Sequence, residues 1–357
     1  MDYRLKKYLL YVISILVIIF LIQEYRLHSQ QSKQDLLANN LLSLQQKIES
    51  LEKQNFVNSQ KIPLPVLFCG DTLDMKNPYI RERVEREFYS LLGDQGQLQL
   101  YLKRTNRYLP MIENYLVDAG LPEDLKYLSV HESALLPKIR SRSNAVGLWQ
   151  FMYSTGRLYK LKINRYIDER RHPEKATAAA TRFLKDLYKQ FKNWPLVLAA
   201  YNGGQGRIQR NIKRQNTRSL VDLSLPQETE RYYFKIVATK IILSQAELFG
   251  FRVEESDFFS TPVTVNVDFM IQKEKMFLEE IASTFNMSIV ALKETNPHLI
   301  NTHLYRGTYE LDIPVENYQW YIDNTELDSP EEETFAVRPQ AEEFSEDAFR
   351  QDDSILR

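Results

Sequence analysis

The chain has 357 residues, of which 43% are hydrophobic, and a formal net charge of −1 at pH 7. This length accommodates one sizeable domain with smaller modules, and the near-neutral charge excludes the basic surplus typical of nucleic-acid-binding proteins. A single cysteine, Cys69, excludes an internal disulfide framework, and the five histidines show no metal-ligand spacing. The sequence therefore predicts neither a metal nor a cofactor.

Residues 1–24 are predicted to be a membrane segment. Three basic residues precede an uncharged apolar run from Tyr8 to Ile22. At about 1.5 Å per helical residue the run is slightly shorter than the ~30 Å hydrocarbon core, so both a short anchor and a signal peptide fit. No small-residue cleavage site follows, which favours an uncleaved anchor. The preceding basic residues predict a cytoplasmic N-terminus and an exported remainder.

Residues 25–62 are predicted to be a spacer that ends in a proline-containing linker. Apolar residues alternate spacings of four and three, as in the seam of a coiled coil. They are Leu37, Leu41, Leu44, Ile48 and Leu51. Because the seam is short, a homodimeric coiled coil and a single spacer helix both remain open.

Three further regions follow. Residues 63–255 show helical periodicity with glycine and proline at the predicted helix ends, which indicates a mostly α domain. Residues 260–316 read as strand, helix, helix, strand, with Asn286 between the helices, which predicts a small α+β module. Residues 324–357 are rich in Asp and Glu and are predicted to be a disordered tail.

Glu132 is the candidate catalytic residue. It is the only acidic residue in "YLSVHESALLPKIRSRSNAVGLWQFM", and apolar residues stand on both sides of it. Burial raises the pKa of a carboxyl group, as is needed to protonate a glycosidic oxygen near neutral pH. The alternative is an ordinary glutamate at a helix end.

Other polar residues could build a sugar site around Glu132. Ser133 could hydrogen-bond an acetamido group or orient the acid, and Gly147 permits close backbone approach. Gln150 offers an amide that both donates and accepts. Tyr201 and Asn202 stand at the end of an apolar helix, before two glycines. Tyr201 as a core residue and Asn202 as a helix cap are the alternatives.

Several motifs occur in order over about residues 77–250: "HES", "GLWQFM", "STG", "DERRHPEKATAAA", "AAYNGG" and "LPQETERYYFKIVATK". In this the chain resembles the membrane-bound lytic murein transglycosylases of the D type, which have a goose-type-lysozyme-like catalytic fold. The resemblance implies that Glu132 is the catalytic glutamate. It implies that Ser133, Gln150, Tyr201 and Asn202 line the sugar site. It also adds Glu228 and Tyr232, whose role could be partly structural.

Three positions depart from the family pattern. Tyr153 stands where the family usually has proline, Asn144 where glycine is frequent, and His172 where aspartate is common. Asn tolerates a left-handed backbone better than most residues, so the change at Asn144 is mild. None of the three is the candidate acid. They therefore bear on loop shape and substrate preference rather than on activity.

A second catalytic carboxylate is not evident near Glu132. Glycosidases usually need two, and Asp168 and Glu169 are the next acidic residues along the chain. "YIDERRHP" reads more readily as a helix entry with an ion-paired scaffold. The resemblance implies instead that one glutamate acts twice, first as acid and then as base. The C6 hydroxyl of the N-acetylmuramic acid then attacks C1 and leaves a 1,6-anhydro end.

The module at residues 260–316 resembles a LysM repeat, which binds N-acetylglucosamine-containing glycans. The helical core and the closing "LDIP" fit this resemblance. "KEKMFL" stands where the family has "GDTL", near its sugar-binding edge, so glycan binding by this module remains open.

Together these features predict a lytic transglycosylase that acts on peptidoglycan strands in the periplasm of a bacterial envelope and is anchored to the inner membrane. Its predicted bond is the β-1,4 link between N-acetylmuramic acid and N-acetylglucosamine. A hydrolytic muramidase and a non-catalytic wall-binding scaffold remain as alternatives.

Overall fold

The computed structural model describes residues 21, 23–24, 28, 30–31, 33–48, 50, 60–325 and 335–339. The chain divides into two compact units, Met1–Lys61 and Ile62–Arg357. Within the described part, no helix has the length and apolar character needed to cross a bilayer. Most of the predicted anchor at residues 1–24 lies outside the described residues.

The described residues of the first unit are helical at 21, 23–24, 28, 30–31, 33–48 and 50, and the stretch 33–48 is called α1. Its predicted seam residues Leu37, Leu41, Leu44 and Ile48 are between 54% and 62% exposed. Leu51 lies outside the described residues. An uncovered apolar seam is what a coiled coil would bury, and dimerisation stays a prediction.

The second unit begins with a short antiparallel hairpin followed by helices. The hairpin strands are β1 (Leu67–Phe68) and β2 (Asp71–Thr72). The helices are α2 (Pro78–Leu92), α3 (Gln95–Asp118), α4 (Lys126–Ser133), α5 (Tyr153–Leu158), α6 (Pro173–Phe191), α7 (Trp194–Gly203), α8 (Gln205–Gln215) and α9 (Gln227–Leu243). The mostly α prediction for this region is confirmed.

Local sequence explains several helix ends. The side chain of Asn193 caps α7 by accepting from the backbone N–H of Leu196 at 3.0 Å, and Pro195 occupies the first turn. Helix α9 packs against α2, α4 and α7. Ten of its seventeen residues are buried, so it is the central helix of the domain rather than a surface helix.

The module follows as β3 (Thr264–Phe277), α10 (Leu278–Thr284), α11 (Ile289–Thr295), β4 (His303–Pro314), α12 (Val315–Thr325) and β5 (Phe335–Pro339). Strand β3 is central in an antiparallel sheet of order β4-β3-β5. The predicted order strand, helix, helix, strand is confirmed, and Asn286 adopts a left-handed backbone (φ 49°) between α10 and α11.

Most of the predicted tail at residues 324–357 lies outside the described residues, but residues 324–325 and 335–339 have regular secondary structure. Residues 324–325 end α12, and β5 pairs with β3 from Ile271 opposite Phe335. The ring of Phe335 stacks on Phe269, with centroids 5.1 Å apart. Phe335 and Val337 both pack against the module core. These two apolar side chains explain how a short strand forms within an acidic stretch.

A loop of the helical domain completes the module core. Ile167 is buried among the module's apolar residues. The backbone N–H of Asp168 donates to the carbonyl of His298 at 2.9 Å, and that of Ile300 donates to the carbonyl of Tyr166 at 3.0 Å. The module is therefore packed onto the helical domain within one compact unit.

Candidate active site

Glu132 lies in the last turn of α4, where the chain changes direction abruptly. The next residues, Ala134 (φ 52°) and Leu135 (φ 58°), both have left-handed backbones. This conformation costs a non-glycine residue roughly 1–2 kcal/mol. It is held by the Ala134 N–H, which donates to Val130 at 2.8 Å, and by Arg104, which donates to the Ala134 carbonyl at 3.1 Å. Such strain is concentrated at functional sites.

The surroundings of Glu132 favour its neutral form. Burial raises the pKa of Glu132 to about 7, and the negative charge of Glu228 adds to the rise. The hydroxyl of Tyr232 and the charge of Lys235 oppose it. A carboxyl group with a pKa near 7 is partly protonated at neutral pH, which is what a group that both gives and takes a proton requires.

Tyr232 is the direct partner of Glu132. Its hydroxyl donates a hydrogen bond to Glu132 Oε1 across 100 residues of sequence. The rings of His131 and Tyr232 pack in a T-shaped arrangement, with their centroids 5.5 Å apart. Burial and the neighbouring carboxylate raise the pKa of Tyr232 well above its usual value. Tyr232 therefore stays protonated and remains a donor.

We expect Tyr232→Phe to move the alkaline limb of the activity profile to higher pH. The lost hydrogen bond stabilises the ionised form of Glu132, so the pKa of Glu132 should rise without it. The rate of release of soluble fragments from cell-wall sacculi, measured against pH, tests this. Tyr233→Phe is the matched control, because Tyr233 is the next tyrosine of the same helix and its ring packs against Phe68. A downward or absent shift would contradict the role of Tyr232.

Tyr201 ties the end of α7 to the loop that carries Gln150. Its hydroxyl donates to the carbonyl of Trp149 at 2.6 Å. Burial, and then the nearby charge of Glu132, raise the pKa of Tyr201. Gln150 is the next residue along, with φ 45° and its amide donating to the Gly147 carbonyl at 2.9 Å. The structure therefore brings Tyr201 and the Gln150 loop to the Glu132 side of the domain.

Gly147 lies directly against the backbone of Arg170. It has φ 87°, and a Cβ built on it would lie 1.7 Å from the carbonyl oxygen of Arg170. The guanidinium of Arg170 pairs with Asp168 through two hydrogen bonds of 2.9 and 2.8 Å and also donates to the carbonyls of Asn144 and Phe151. The interpretation of Asp168 as an ion-paired scaffold residue is thus confirmed.

Asn202 and Glu228 occupy the more open edge of the site. The Asn202 amide donates to Glu228 Oε1 at 3.4 Å, and Thr229 donates to Asn202 Oδ1 at 2.9 Å. The side chain of Glu228 is exposed. It is therefore Glu228, rather than Asp168 or Glu169, whose charge acts on Glu132.

Ser133 occupies a different place from the other predicted residues. It is 1% exposed, and its hydroxyl donates back along α4 to the carbonyl of Ser129 at 2.9 Å. Its hydroxyl is thus directed into the helix wall, and the predicted contact with an acetamido group stays a prediction.

The three departures from the family pattern have local explanations. Tyr153 is the first residue of α5, a position that proline also accepts. Asn144 has a left-handed backbone (φ 67°), which asparagine adopts more readily than most residues that could replace glycine. His172 is buried at the start of α6, with its ring stacked on His298 of the module.

Sequence reasoning did not single out His131, Trp149 or Thr229. His131 supports the Tyr232 ring, and Trp149 supplies a carbonyl to Tyr201 and a ring N–H to Thr177 at 2.9 Å. All three are adjacent to predicted residues, since His131 precedes Glu132, Trp149 precedes Gln150 and Thr229 follows Glu228. That adjacency was the only available signal.

Comparison with known proteins matches residues 111–221 to the family described as the transglycosylase SLT domain. The chain is 32% identical over 234 residues to the membrane-bound lytic murein transglycosylase D of Escherichia coli K12 and equally to that of strain O6:H1. The match covers 64% of this chain and 50% of each relative. The chain thus spans half the length of these relatives.

Among solved structures, an inactive mutant of the lytic transglycosylase Slt from Pseudomonas aeruginosa is 21% identical, covering 42% of this chain and 26% of that one, with a TM-score of 0.32. The 70 kDa soluble lytic transglycosylase of Escherichia coli is 18% identical, covering 61% and 46%, with a TM-score of 0.35. The family match agrees with the predicted fold class, a mostly α, lysozyme-like transglycosylase domain. Residues 111–221 of the chain are therefore similar to the transglycosylase SLT domain.

Proposed function

We propose that this protein is a lytic transglycosylase that cleaves the β-1,4 bond between N-acetylmuramic acid and N-acetylglucosamine in peptidoglycan. The observation that carries the proposal is Glu132, a partly buried residue within the stretch that matches the SLT domain, with a pKa raised to about 7 and a tyrosine hydroxyl on one carboxylate oxygen. Relatives at 32% identity are named lytic murein transglycosylases, which supports this substrate class.

In the proposed reaction, Glu132 first donates its proton to the glycosidic oxygen as the bond from C1 of N-acetylmuramic acid breaks. Tyr232 holds Oε1, which leaves Oε2 to exchange the proton. The resulting carboxylate then accepts the proton of the C6 hydroxyl while that oxygen bonds to C1. The product is a 1,6-anhydro end, and no water is consumed. A pKa near 7 suits both proton transfers.

The substrate-binding roles are part of this proposal. Gln150 and Tyr201 lie on elements joined by a hydrogen bond, and Asn202 and Glu228 form the open edge. We assign sugar contacts to these side chains and a supporting role to Gly147. The Ser133 contact would require its hydroxyl to leave the Ser129 carbonyl.

A hydrolytic muramidase is the second candidate, and Glu228 is the observation that favours it. Glu228 is an exposed carboxylate whose charge acts on Glu132. Enzymes that hydrolyse glycosidic bonds with water usually have two catalytic carboxylates. In that reaction Glu228 would activate the water or attack C1.

Mass spectrometry of muropeptides released from purified sacculi separates these functions. Lytic transglycosylation gives anhydro ends, whereas hydrolysis gives reducing ends that are heavier by one water. Predominantly reducing ends would refute the transglycosylase proposal in favour of the muramidase. No release by the wild-type chain would leave the third candidate, a non-catalytic wall-binding scaffold.

We also propose that residues 1–24 anchor the protein to the inner membrane of a bacterium, with the SLT domain in the periplasm. The basic residues before the apolar run, and the words "membrane-bound" in the relatives' name, support this. N-terminal sequencing of the mature protein is the test. A chain that begins near residue 29 would contradict the anchor.

A further inference from the structure

A cavity of about 500 Å³ lies between the helical domain and the module. Its walls come from α3, the start of α6, α11 and the end of β4, and Glu132 is not part of its lining. Its volume falls in the range of small-molecule sites, roughly 300–1,000 Å³. Three of the polar side chains in its walls lack the partners that such groups normally have: Arg107, His172 and Asp312.

His172 is the most buried of the three, at 2% exposure. Neither of its ring nitrogens has a hydrogen-bond partner within the described part of the chain. The nearest charged atom is Asp312 Oδ2, 3.8 Å from Nε2, which is too far for a hydrogen bond. Burial lowers the pKa of His172, so the ring is neutral and offers one donor and one acceptor. Leaving such a buried polar group unpaired destabilises the fold.

Asp312 has no Lys or Arg in direct contact among the described residues. Its Oδ1 accepts from the amide of Asn266 at 2.9 Å, but no Lys or Arg of the described residues lies within 4 Å of the carboxylate. Lys175 is instead held by Glu169 at 3.0 Å and by Glu310 at 2.5 Å. Burial raises the pKa of Asp312, against the opposing effects of the Asn266 hydrogen bond and the charge of Lys175.

Arg107 is a cation without an anion. Its Nη2 donates to the carbonyl of Ser260 at 3.3 Å, and its guanidinium lies 5.7 Å from the ring centre of Phe259. Its buried Nε has no partner among residues 60–325 and 335–339, and no carboxylate of these residues lies within 4 Å. The guanidinium therefore retains donors for a carboxylate.

We propose that this cavity binds a zwitterionic ligand of amino-acid or short-peptide size. The ligand carboxylate pairs with Arg107, its ammonium group pairs with Asp312, and His172 supplies one donor and one acceptor between them. A purely anionic ligand would face Asp312 and the nearby Glu174, and a purely cationic ligand would face Arg107. Only a ligand that carries both charges can form an ion pair with Arg107 and another with Asp312.

Two sources have this chemistry. One is the peptide stem of peptidoglycan, in which case the inference rests on the proposed function and extends it to peptide recognition. The other is a free amino acid or short peptide. Neither contains a glycosidic bond, so the active wild-type chain can be used throughout.

Isothermal titration calorimetry of the full chain tests the proposal. The probes are the stem tripeptide L-alanyl-γ-D-glutamyl-meso-diaminopimelate, the same peptide with its amines acetylated, the same peptide with its carboxylates amidated, and free D-alanine. We expect the unmodified tripeptide to bind, and each blocked form to bind about tenfold more weakly or worse. Arg107→Gln and Asp312→Asn should each cause a similar loss. Lys103→Gln is the matched control, because Lys103 is a cation of α3 that does not line the cavity.

A second readout needs no variant. Titration of the wild-type chain with the tripeptide should shift the imidazole NMR signals of His172, one of five histidines. Binding of the tripeptide alone assigns the site to peptidoglycan stems, and equal binding of D-alanine assigns it to free amino acids. The proposal is overturned if no probe binds at millimolar concentration, if blocked peptides bind equally, or if the Arg107 and Asp312 variants bind unchanged. The muropeptide products report separately on Glu132.

Discussion

Replacing Glu132 with glutamine is expected to slow the release of fragments from sacculi by about 10²- to 10⁴-fold, the usual contribution of a general acid–base group. Glutamine preserves the shape and can still accept the hydrogen bond of Tyr232, but its amide cannot give up or take the catalytic proton. The same assay on the wild type should show a decline as pH rises above about 7, where burial no longer keeps Glu132 protonated. Wild-type rates in Glu132→Gln would show that another group is the acid.

The folding stability of Glu132→Gln provides the control for this loss. The pKa of Glu132 is raised from an ordinary value of 4.5 to about 7, so the folded state binds this proton more tightly than the unfolded chain does. Wild-type stability should therefore fall as pH rises from about 4.5 to 7. Glutamine has no charge to bury, so the variant should be up to about 3 kcal/mol more stable at pH 8, with the difference shrinking below pH 5. A less stable variant at pH 8 would mean that unfolding, not lost chemistry, explains its inactivity.

The local part of the active site could be predicted from the sequence. Apolar neighbours indicated a buried Glu132, and the glycines after Asn202 indicated a helix end, because burial and helix termination are encoded by adjacent residues. The hydrogen bond from Tyr232 could not be predicted in this way, since it spans 100 residues and depends on how α9 packs against α4. The family resemblance identified Tyr232 without indicating its partner.

Long-range packing also explains the other features of the structure that the sequence did not predict. Asp168 and Glu169 were the next acids in sequence, but the negative charge that acts on Glu132 belongs to Glu228, on the central helix. Nothing in the pattern around Ile167 indicated that it would enter the core of a module about 100 residues later. Strand β5 could not be predicted, because the alternation of Phe335 and Val337 is a very short apolar pattern within an acidic stretch.

Gly147→Ala is expected to have the largest effect on stability. The new Cβ would lie 1.7 Å from the Arg170 carbonyl and force a residue at φ 87° into a conformation that L side chains rarely adopt. The Arg170 segment cannot easily yield, because its guanidinium is held by Asp168 and by two backbone carbonyls. A loss of about 3 kcal/mol or more is expected, which for a domain of this size lowers the Tm by roughly 10 °C. Thermal unfolding followed by circular dichroism measures it.

Gly96→Ala separates this clash from a general effect of adding a methyl group. Gly96 lies in the first turn of α3, and a Cβ there would meet nothing within 4 Å. Alanine in a helix is better than glycine by roughly 0.5–1 kcal/mol, so this control should be neutral or slightly stabilised. Both variants are measured without substrate. If Gly147 served only to admit a glycan, its replacement would leave the Tm unchanged and slow only cleavage. A fall in Tm confined to Gly147→Ala would assign the glycine to the Arg170 contact, through which it positions the Gln150 loop.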